Sequence, residues 1–429
     1  MRKYILEYKY FFDQYTDLIV EGGAFGHLSH PFEDMELTFD DLKIMIKMLM
    51  EDGLTMSNMI VEKTDGCQLS FSWKNGQLVC ARNKYHLKNF GENALNTIGL
   101  QDMFKGRGDI EEAFTLAVND LEQAISKMSI KDKQNFFQNG RKFMSVEVMY
   151  AKLENSIPYN LDMLIFHGLI EYDINGNAIS MDKQAGIEVA KILQNINANI
   201  GKTFKINGPN PIEILKTSDF TDKAKNYLTD LIKLQKEFNL KDTNTLAEYH
   251  YEWFKNYIKE KAKLFAFNIS DELVSKLAKC FGNQDKSAIK ATEFKTIDNK
   301  EFVNWLIEFS KQEYNIVYKH NMKNFEQIFF KVGVDILQTL SNYLVFNKDQ
   351  SKQQMKKKFE FAIDIMNKNQ DTTKIATMID YLKRIDDLGG IDKIAPTEGI
   401  CFYYNNKLYK ITGLFALYHK VVSTLRFDR

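Results

Sequence analysis

Met59-Ile-Val-Glu-Lys-Thr-Asp-Gly-Cys-Gln-Leu-Ser-Phe-Ser-Trp-Lys-Asn-Gly-Gln-Leu-Val-Cys-Ala-Arg82 decides how this chain is read. It holds a short apolar run ending in Lys63, a corner at Asp65-Gly66, and two alternating segments joined by Asn75-Gly76. Asn-Gly between alternating segments signals a two-residue hairpin loop, because both loop residues must accept positive φ. Such a loop pairs Lys74 with Gln77, Phe71 with Cys80 and Leu69 with Arg82. The register therefore returns Arg82 to the Lys63-Thr64-Asp65-Gly66 corner. A strand-end amine, a carboxylate two residues on, a glycine turn and a returning guanidinium together suit a triphosphate.

Outward from this stretch, composition bounds the options. The chain has 429 residues, enough for two or three domains, and its 57 lysines and arginines balance 57 aspartates and glutamates. A protein that coats nucleic acid by charge alone is basic, so any nucleic-acid partner here is held by a local patch. Cys67, Cys80, Cys280 and Cys401 are scattered without metal-ligand spacing and read as small hydrophobes in a reducing compartment. No apolar run has the length of a signal peptide or a membrane span, so the reading is soluble and cytoplasmic, with no membrane partner.

The chain then divides by texture. Thr38 caps a predicted helix that runs to Gly53, the hairpin follows, and a helix is predicted from Ile110 to Lys127. Strand-like runs occupy Lys142 to Tyr150 and Leu161 to Tyr172. From 181 to 387 strand signals almost vanish, and helical spacing dominates. Strands return in Thr397-Glu-Gly-Ile-Cys-Phe-Tyr-Tyr-Asn-Asn-Lys-Leu-Tyr-Lys-Ile-Thr412, ahead of a last helix from Leu414 to Leu425. A lone hairpin is marginally stable, so this one is expected to rejoin the first sheet. The predicted organisation is α+β on antiparallel strands: residues 1–180 and 388–429 form one core, and 181–387 are an all-α insertion.

Lys63-Thr64-Asp65-Gly66, with Arg82 behind it, resembles the nucleotide-binding lysine motif of the covalent nucleotidyltransferases, the DNA ligases, RNA ligases and mRNA-capping enzymes. Glu147 in Ser145-Val-Glu-Val148 resembles the glutamate of their third motif, although Val146 stands where the family commonly has glycine. Glu398-Gly399-Ile400 resembles the fourth motif, and Lys407-Leu-Tyr-Lys410 the fifth. The order along the chain is the family's order. The resemblance implies a ligase-type adenylation domain with Lys63 as nucleophile, and contacts to nucleotide from Asp65, Gly66, Arg82, Glu147, Glu398, Lys407 and Lys410. It implies Mg²⁺ placed by Glu147 and Glu398, and an aromatic stacked on the base, with Phe143 and Phe166 as candidates. A two-residue Asn405-Asn406 loop puts Lys407 on the face of Glu398, and a three-residue loop puts Lys410 there. The family's placement of a lysine inside the strand favours Lys410.

Lysine suits covalent work because, unlike arginine, it gives up a proton when its surroundings lower its pKa. The stretch after Lys410 is too short for the OB-fold domain of DNA ligases and capping enzymes. The implied activity is therefore ATP-dependent, RNA-ligase-like or phage-type joining of RNA or DNA ends through lysyl-AMP, with the helical region gripping nucleic acid or a protein partner. The alternatives are a capping-type guanylyltransferase and a non-catalytic relative that binds protein. His27-x-x-His30 lacks further ligands at zinc spacing. Gly22-Gly-Ala-Phe-Gly26 lacks the Gly-Lys-Ser/Thr ending of a phosphate loop. Arg107 fits a helix-entry turn, and Met355-Lys-Lys-Lys358 a solvated helix face.

Overall fold

A computed structural model describes residues 28–51, 60–153, 155–159, 161–198, 203–208, 211–212, 218–283, 297–340, 348–368, 372–405 and 407–423. Helix α1 (Phe39–Met50) starts where the sequence predicts, with Thr38 and Asp41 forming a reciprocal capping box. Strand β1 (Ile60–Lys63) leads into the hairpin of β2 (Cys67–Lys74) and β3 (Gln77–Ala81). The Asn75-Gly76 loop sets the expected register, pairing Lys74 with Gln77 and Phe71 with Cys80. Both loop residues have positive φ, 51° and 82°. Helices α2 (Thr97–Phe104), α3 (Asp109–Ser126) and α4 (Ile130–Phe137) lead to β4 (Lys142–Met149) and β5 (Met163–Tyr172). The sequence places these strands to within two residues.

Two sheets result. The larger runs β3-β2-β4-β5-β6, with β6 at Ala178–Asp182 and a three-residue strand β7 (Lys205–Asn207) parallel to β5. The smaller runs β10-β9-β1-β8, where β9 is Gly399–Tyr404, β10 is Lys407–Ile411 and β8 is Pro211–Ile212. The C-terminal hairpin thus pairs with β1, which joins residues more than three hundred positions apart in one sheet. Helix α5 (Lys183–Ala198) also belongs to this core, since Val189, Ala190 and Leu193 are buried with Leu164 and Phe166 of the larger sheet. The helical region proper therefore begins near α6 (Ser218–Glu237), some thirty-five residues later than texture suggests.

Alternation sorts the smaller sheet into two faces. Glu62, Ile400, Phe402, Tyr409 and Ile411 point one way, and all but Glu62 enter a hydrophobic core shared with α1 and the helical region. That region contributes α7 (Leu246–Leu264), α8 (Asp271–Gly282), α9 (Lys300–Glu308), α10 (Tyr314–Leu340), α11 (Lys348–Lys368) and α12 (Thr372–Asp387). It is no separate module, because Phe325, Phe329 and Ile336 of α10 belong to the same core as Phe402. Helix α13 (Phe415–Ser423) closes the chain's described part. No described helix is long and apolar enough to cross a membrane.

The opposite face of the smaller sheet looks onto the larger one. Tyr403 O–H donates to Met181 Sδ at 3.3 Å, and Met181 pairs with Ile170. On that face the larger sheet presents Ser70, Ser72, Ser145 and Glu147, while Leu69, Phe71, Val146 and Phe166 pack behind it. The strand alternation thus puts buried hydroxyls and one carboxylate on the side of the larger sheet that faces the smaller one.

In the helical core, His250 is fully buried between the rings of Tyr249 and Tyr318, with Nδ1 2.6 Å from Asn321 Nδ2. Burial pulls its pKa down to about 3. The unfolded chain binds this proton near pH 6.5 and the folded one does not, so His250 favours folding above that value and opposes it progressively below. The expected result is that wild type loses about 1.4 kcal/mol per pH unit from this group between pH 6.5 and 3. In urea titrations, His250→Leu should lack that slope, so the stability gap between the two proteins narrows on acidification.

Candidate active site

Lys63 ends β1 opposite Gly399, the first residue of β9. Its carbonyl accepts hydrogen bonds from Glu398 N–H and from the Thr397 hydroxyl, both at 3.1 Å. These bonds hold the Thr397-Glu398 turn against the strand end. The Lys63 ammonium lies 2.5 Å from Glu398 Oε1, and only 17% and 8% of the two side chains are exposed. An ion pair so removed from water is much less screened than one at the surface.

Gly399 permits this arrangement. Its φ is +154°, and a Cβ there would lie 2.2 Å from Ile411 O and 2.9 Å from Thr412 Cα. Both neighbours are backbone atoms, so no rotamer change relieves the overlap.

Lys410 pairs with Cys401 across the hairpin, and Cys401 lies two residues from Gly399 on the same side of β9. Directly opposed residues share a face, so Lys410 lies on the Lys63 side of the sheet, buried, with its N–H donated to Ser29 O at 3.0 Å. The loop has two residues, since Tyr404 pairs with Lys407. By alternation Lys407 therefore aligns with Glu398, as the sequence argument states for that loop length. Glu398 precedes the strand, however, and turns its carboxylate across to Lys63. Lys407 instead binds Asp34 at 2.7 Å, and Tyr409 O–H donates to the same carboxylate oxygen at 2.6 Å. Burial alone would raise the Asp34 pKa, but these two donors hold it below the usual carboxylate value. Lys407, one of the two lysines expected at the nucleotide, is thus ion-paired with Asp34.

From the larger sheet, Glu147 Oε1 accepts Gly66 N–H at 3.1 Å. A Cβ on Gly66 would meet Glu147 Cγ at 2.8 Å and Val148 O at 2.9 Å, so glycine is what lets the corner seat on β4. A bulge between Ser145 and Val146 adds one residue to β5, His167, whose Nε2 lies 3.6 Å from Glu147 Oε2. Sequence reasoning misses His167, because a bulge leaves no mark in the pattern of one strand. Asp65 faces a different partner: Oδ2 accepts Ile157 N–H and its own N–H donates to Tyr159 Oη, both at 3.0 Å.

Arg82 follows the last residue of β3, as the hairpin register requires, but its guanidinium lies over the rings of Phe114 and Phe104 at 4.8 and 5.6 Å. Burial lowers its pKa from the ordinary value, while Cys67 and Glu147 act in the opposite direction. It remains a cation, since arginine does not deprotonate in proteins, and it is an electrostatic neighbour of Glu147. Phe166 is a plain correction. It pairs with Val146 on the far side of the sheet and packs 5.4 Å from Phe71 in the core, so its ring lies on the side opposite Glu147. Phe143 lies on the Glu147 side but is buried against Tyr172, with Gly91 close to its ring.

No group of three or more metal-ligating side chains occurs among the described residues. Two carboxylates, Glu147 and Glu398, flank the Lys63-Gly66 corner. Such a donor set suits a hard cation that keeps waters and takes its other ligands from substrate phosphate. The Thr64 hydroxyl beside Lys63 is buried without a hydrogen-bond partner among the described residues. His30 is stacked on Phe32 at 4.9 Å, and His27 and Gly22 to Gly26 lie outside the described residues. A concavity of about 510 Å³ between α7 and α8, lined by Tyr251, Ser275 and Lys279 among others, contains none of these groups. No family model, curated protein or solved structure matches the chain.

Proposed function

We propose that the protein is an ATP-dependent nucleotidyltransferase of the polynucleotide-ligase type that forms a lysyl-AMP intermediate on Lys63. One observation carries this reading: Lys63 sits 2.5 Å from the carboxylate of Glu398, delivered by a strand from the far end of the chain. Lys410 shares its side of the sheet, and Glu147 is anchored to its corner.

The Lys63 amine, once it has lost its proton to solvent, attacks the α-phosphorus of ATP. The N–P bond forms as the bond from that phosphorus to the bridging β-phosphate oxygen breaks, and pyrophosphate leaves with the electron pair. The Lys410 cation offsets charge on the α-phosphate oxygens. A magnesium ion held by Glu398 and Glu147 would neutralise phosphate charge when bound. In the second stage a 5′-phosphate oxygen displaces Lys63 from the AMP phosphorus. A 3′-hydroxyl then attacks the activated 5′-phosphate, and AMP leaves as the strands are joined.

Incubation with α-labelled ATP and Mg²⁺, followed by denaturing electrophoresis, tests the reading. Label retained by wild type, lost in Lys63→Ala and chased by a 5′-phosphorylated oligonucleotide is the expected result. Label from GTP alone would replace adenylyl by guanylyl transfer, and no label from either would remove the enzymatic reading.

A further inference from the structure

Residues 155–159 have no regular secondary structure, yet their polar groups are tied to three elements far away in sequence. A segment outside helix and sheet must satisfy its backbone through other partners. Asn155 N–H donates to Leu153 O at 2.8 Å, and several other partners are side chains. Helix α11 supplies two: Lys358 donates to Asn155 O at 2.7 Å, and the Ser351 hydroxyl donates to Pro158 O at 3.1 Å. Helix α13 supplies two more, Tyr418 O–H to Ser156 O at 2.9 Å and His419 Nδ1 at 2.6 Å from Ser156 Oγ. Asp65 grips the same segment through Ile157 and Tyr159, as described above.

From this geometry we infer that the 155–159 segment is a joint through which α11 and α13 set the position of the Lys63 corner, with Asp65 and Tyr159 acting as positioning residues for Lys63. The inference rests on the proposed role of Lys63. Asp65 lies two residues from the nucleophile, and its carboxylate and its own N–H both point to the joint. Tyr159 is buried. Burial first, and then the negative charges of Asp65, Glu62 and Glu398, hold its hydroxyl protonated. Its hydroxyl oxygen accepts the Asp65 N–H at 3.0 Å. A shift of about 1 Å at the corner is enough to cost roughly a hundredfold in an in-line attack.

Tyr159→Phe keeps the ring and removes the acceptor. The expected result is a fall of about tenfold or more in single-turnover lysyl-adenylate formation at saturating ATP, with the KM for ATP within about twofold of wild type. Ser351→Ala should act in the same direction, and the double variant should lose less than the product of the single losses, as coupled sites do. Hydrogen exchange gives a readout that needs no activity: the amides of Asp65 and Gly66 should exchange faster in Lys358→Ala than in wild type. An unchanged adenylation rate in folded Tyr159→Phe, or unchanged exchange at the corner in Lys358→Ala, overturns the joint. If wild type forms no lysyl-nucleotide at all, the functional reading fails, and the exchange measurement still decides whether the joint exists.

Discussion

Lys63→Arg is expected to keep the fold and lose the covalent intermediate, a drop of at least about four orders of magnitude in adenylation. Arginine retains a positive charge for Glu398, so the ion pair at the strand end persists and thermal stability should move little. Its guanidinium does not deprotonate at usable pH, so it supplies no lone pair for attack on phosphorus. Lys63→Met separates the two roles in the other direction. It removes the nucleophile and also the Lys63 partner of the Glu398 carboxylate, which is only 8% exposed. Breaking a buried pair on one side costs about 3 kcal/mol or more. Denaturant unfolding should therefore find the arginine variant near wild type and the methionine variant clearly below it, while neither is labelled by ATP. Residual adenylation in Lys63→Arg near the wild-type rate would mean that another amine carries the nucleotide.

Gly399→Ala is expected to cost about 2–4 kcal/mol of stability and at least about a hundredfold in adenylation. Two effects add at this position. The +154° φ is unfavourable for any residue with a Cβ, and the new methyl would overlap the backbone of Ile411 and Thr412. The hairpin must then open between β9 and β10, which moves both Glu398 and Lys410 relative to Lys63. Gly106 provides the contrast, since it also has positive φ, +79°, but faces open space. Its alanine variant should cost only about 1 kcal/mol and leave labelling intact.

Much of this site was legible in the sequence because hairpins carry their register in their loops. Asn75-Gly76 fixed which residues of β2 and β3 face each other, and the structure reproduces that pairing. For β9 and β10 the sequence leaves a two- and a three-residue loop open and favours Lys410, which goes with the longer one, whereas the structure has the two-residue loop. That loop aligns Lys407 with Glu398 by alternation, yet Lys407 binds Asp34 while Glu398 binds Lys63. Alternation describes residues within a ladder, and Glu398 lies one residue before it, free of that rule. Phe166 failed for a different reason. Its face depends on how β5 aligns with β4, a pairing of strands with no tight turn between them and a bulge within it. The same bulge hid His167.

Texture places the start of the helical region before β7 and β8 because these strands have three and two residues, too few to show a period of two. Helical spacing, in turn, shows that a face is buried without showing against what. The sequence therefore suggested an independent insertion, whereas α10 shares a core with Phe402 of β9. The joint at 155–159 was invisible for a related reason: its hydrogen-bond partners at Ser351, Lys358, Tyr418 and His419 lie about two hundred residues or more away.

The most direct test is peptide mass spectrometry after brief incubation of the protein with ATP and Mg²⁺, with the sample kept alkaline to preserve a phosphoramidate. A single adenylyl group on Lys63, absent when Lys63→Arg is treated identically, is the predicted result. An unmodified Lys63 peptide under conditions where ATP is consumed, or the same adduct mapped to a different lysine, would contradict the account.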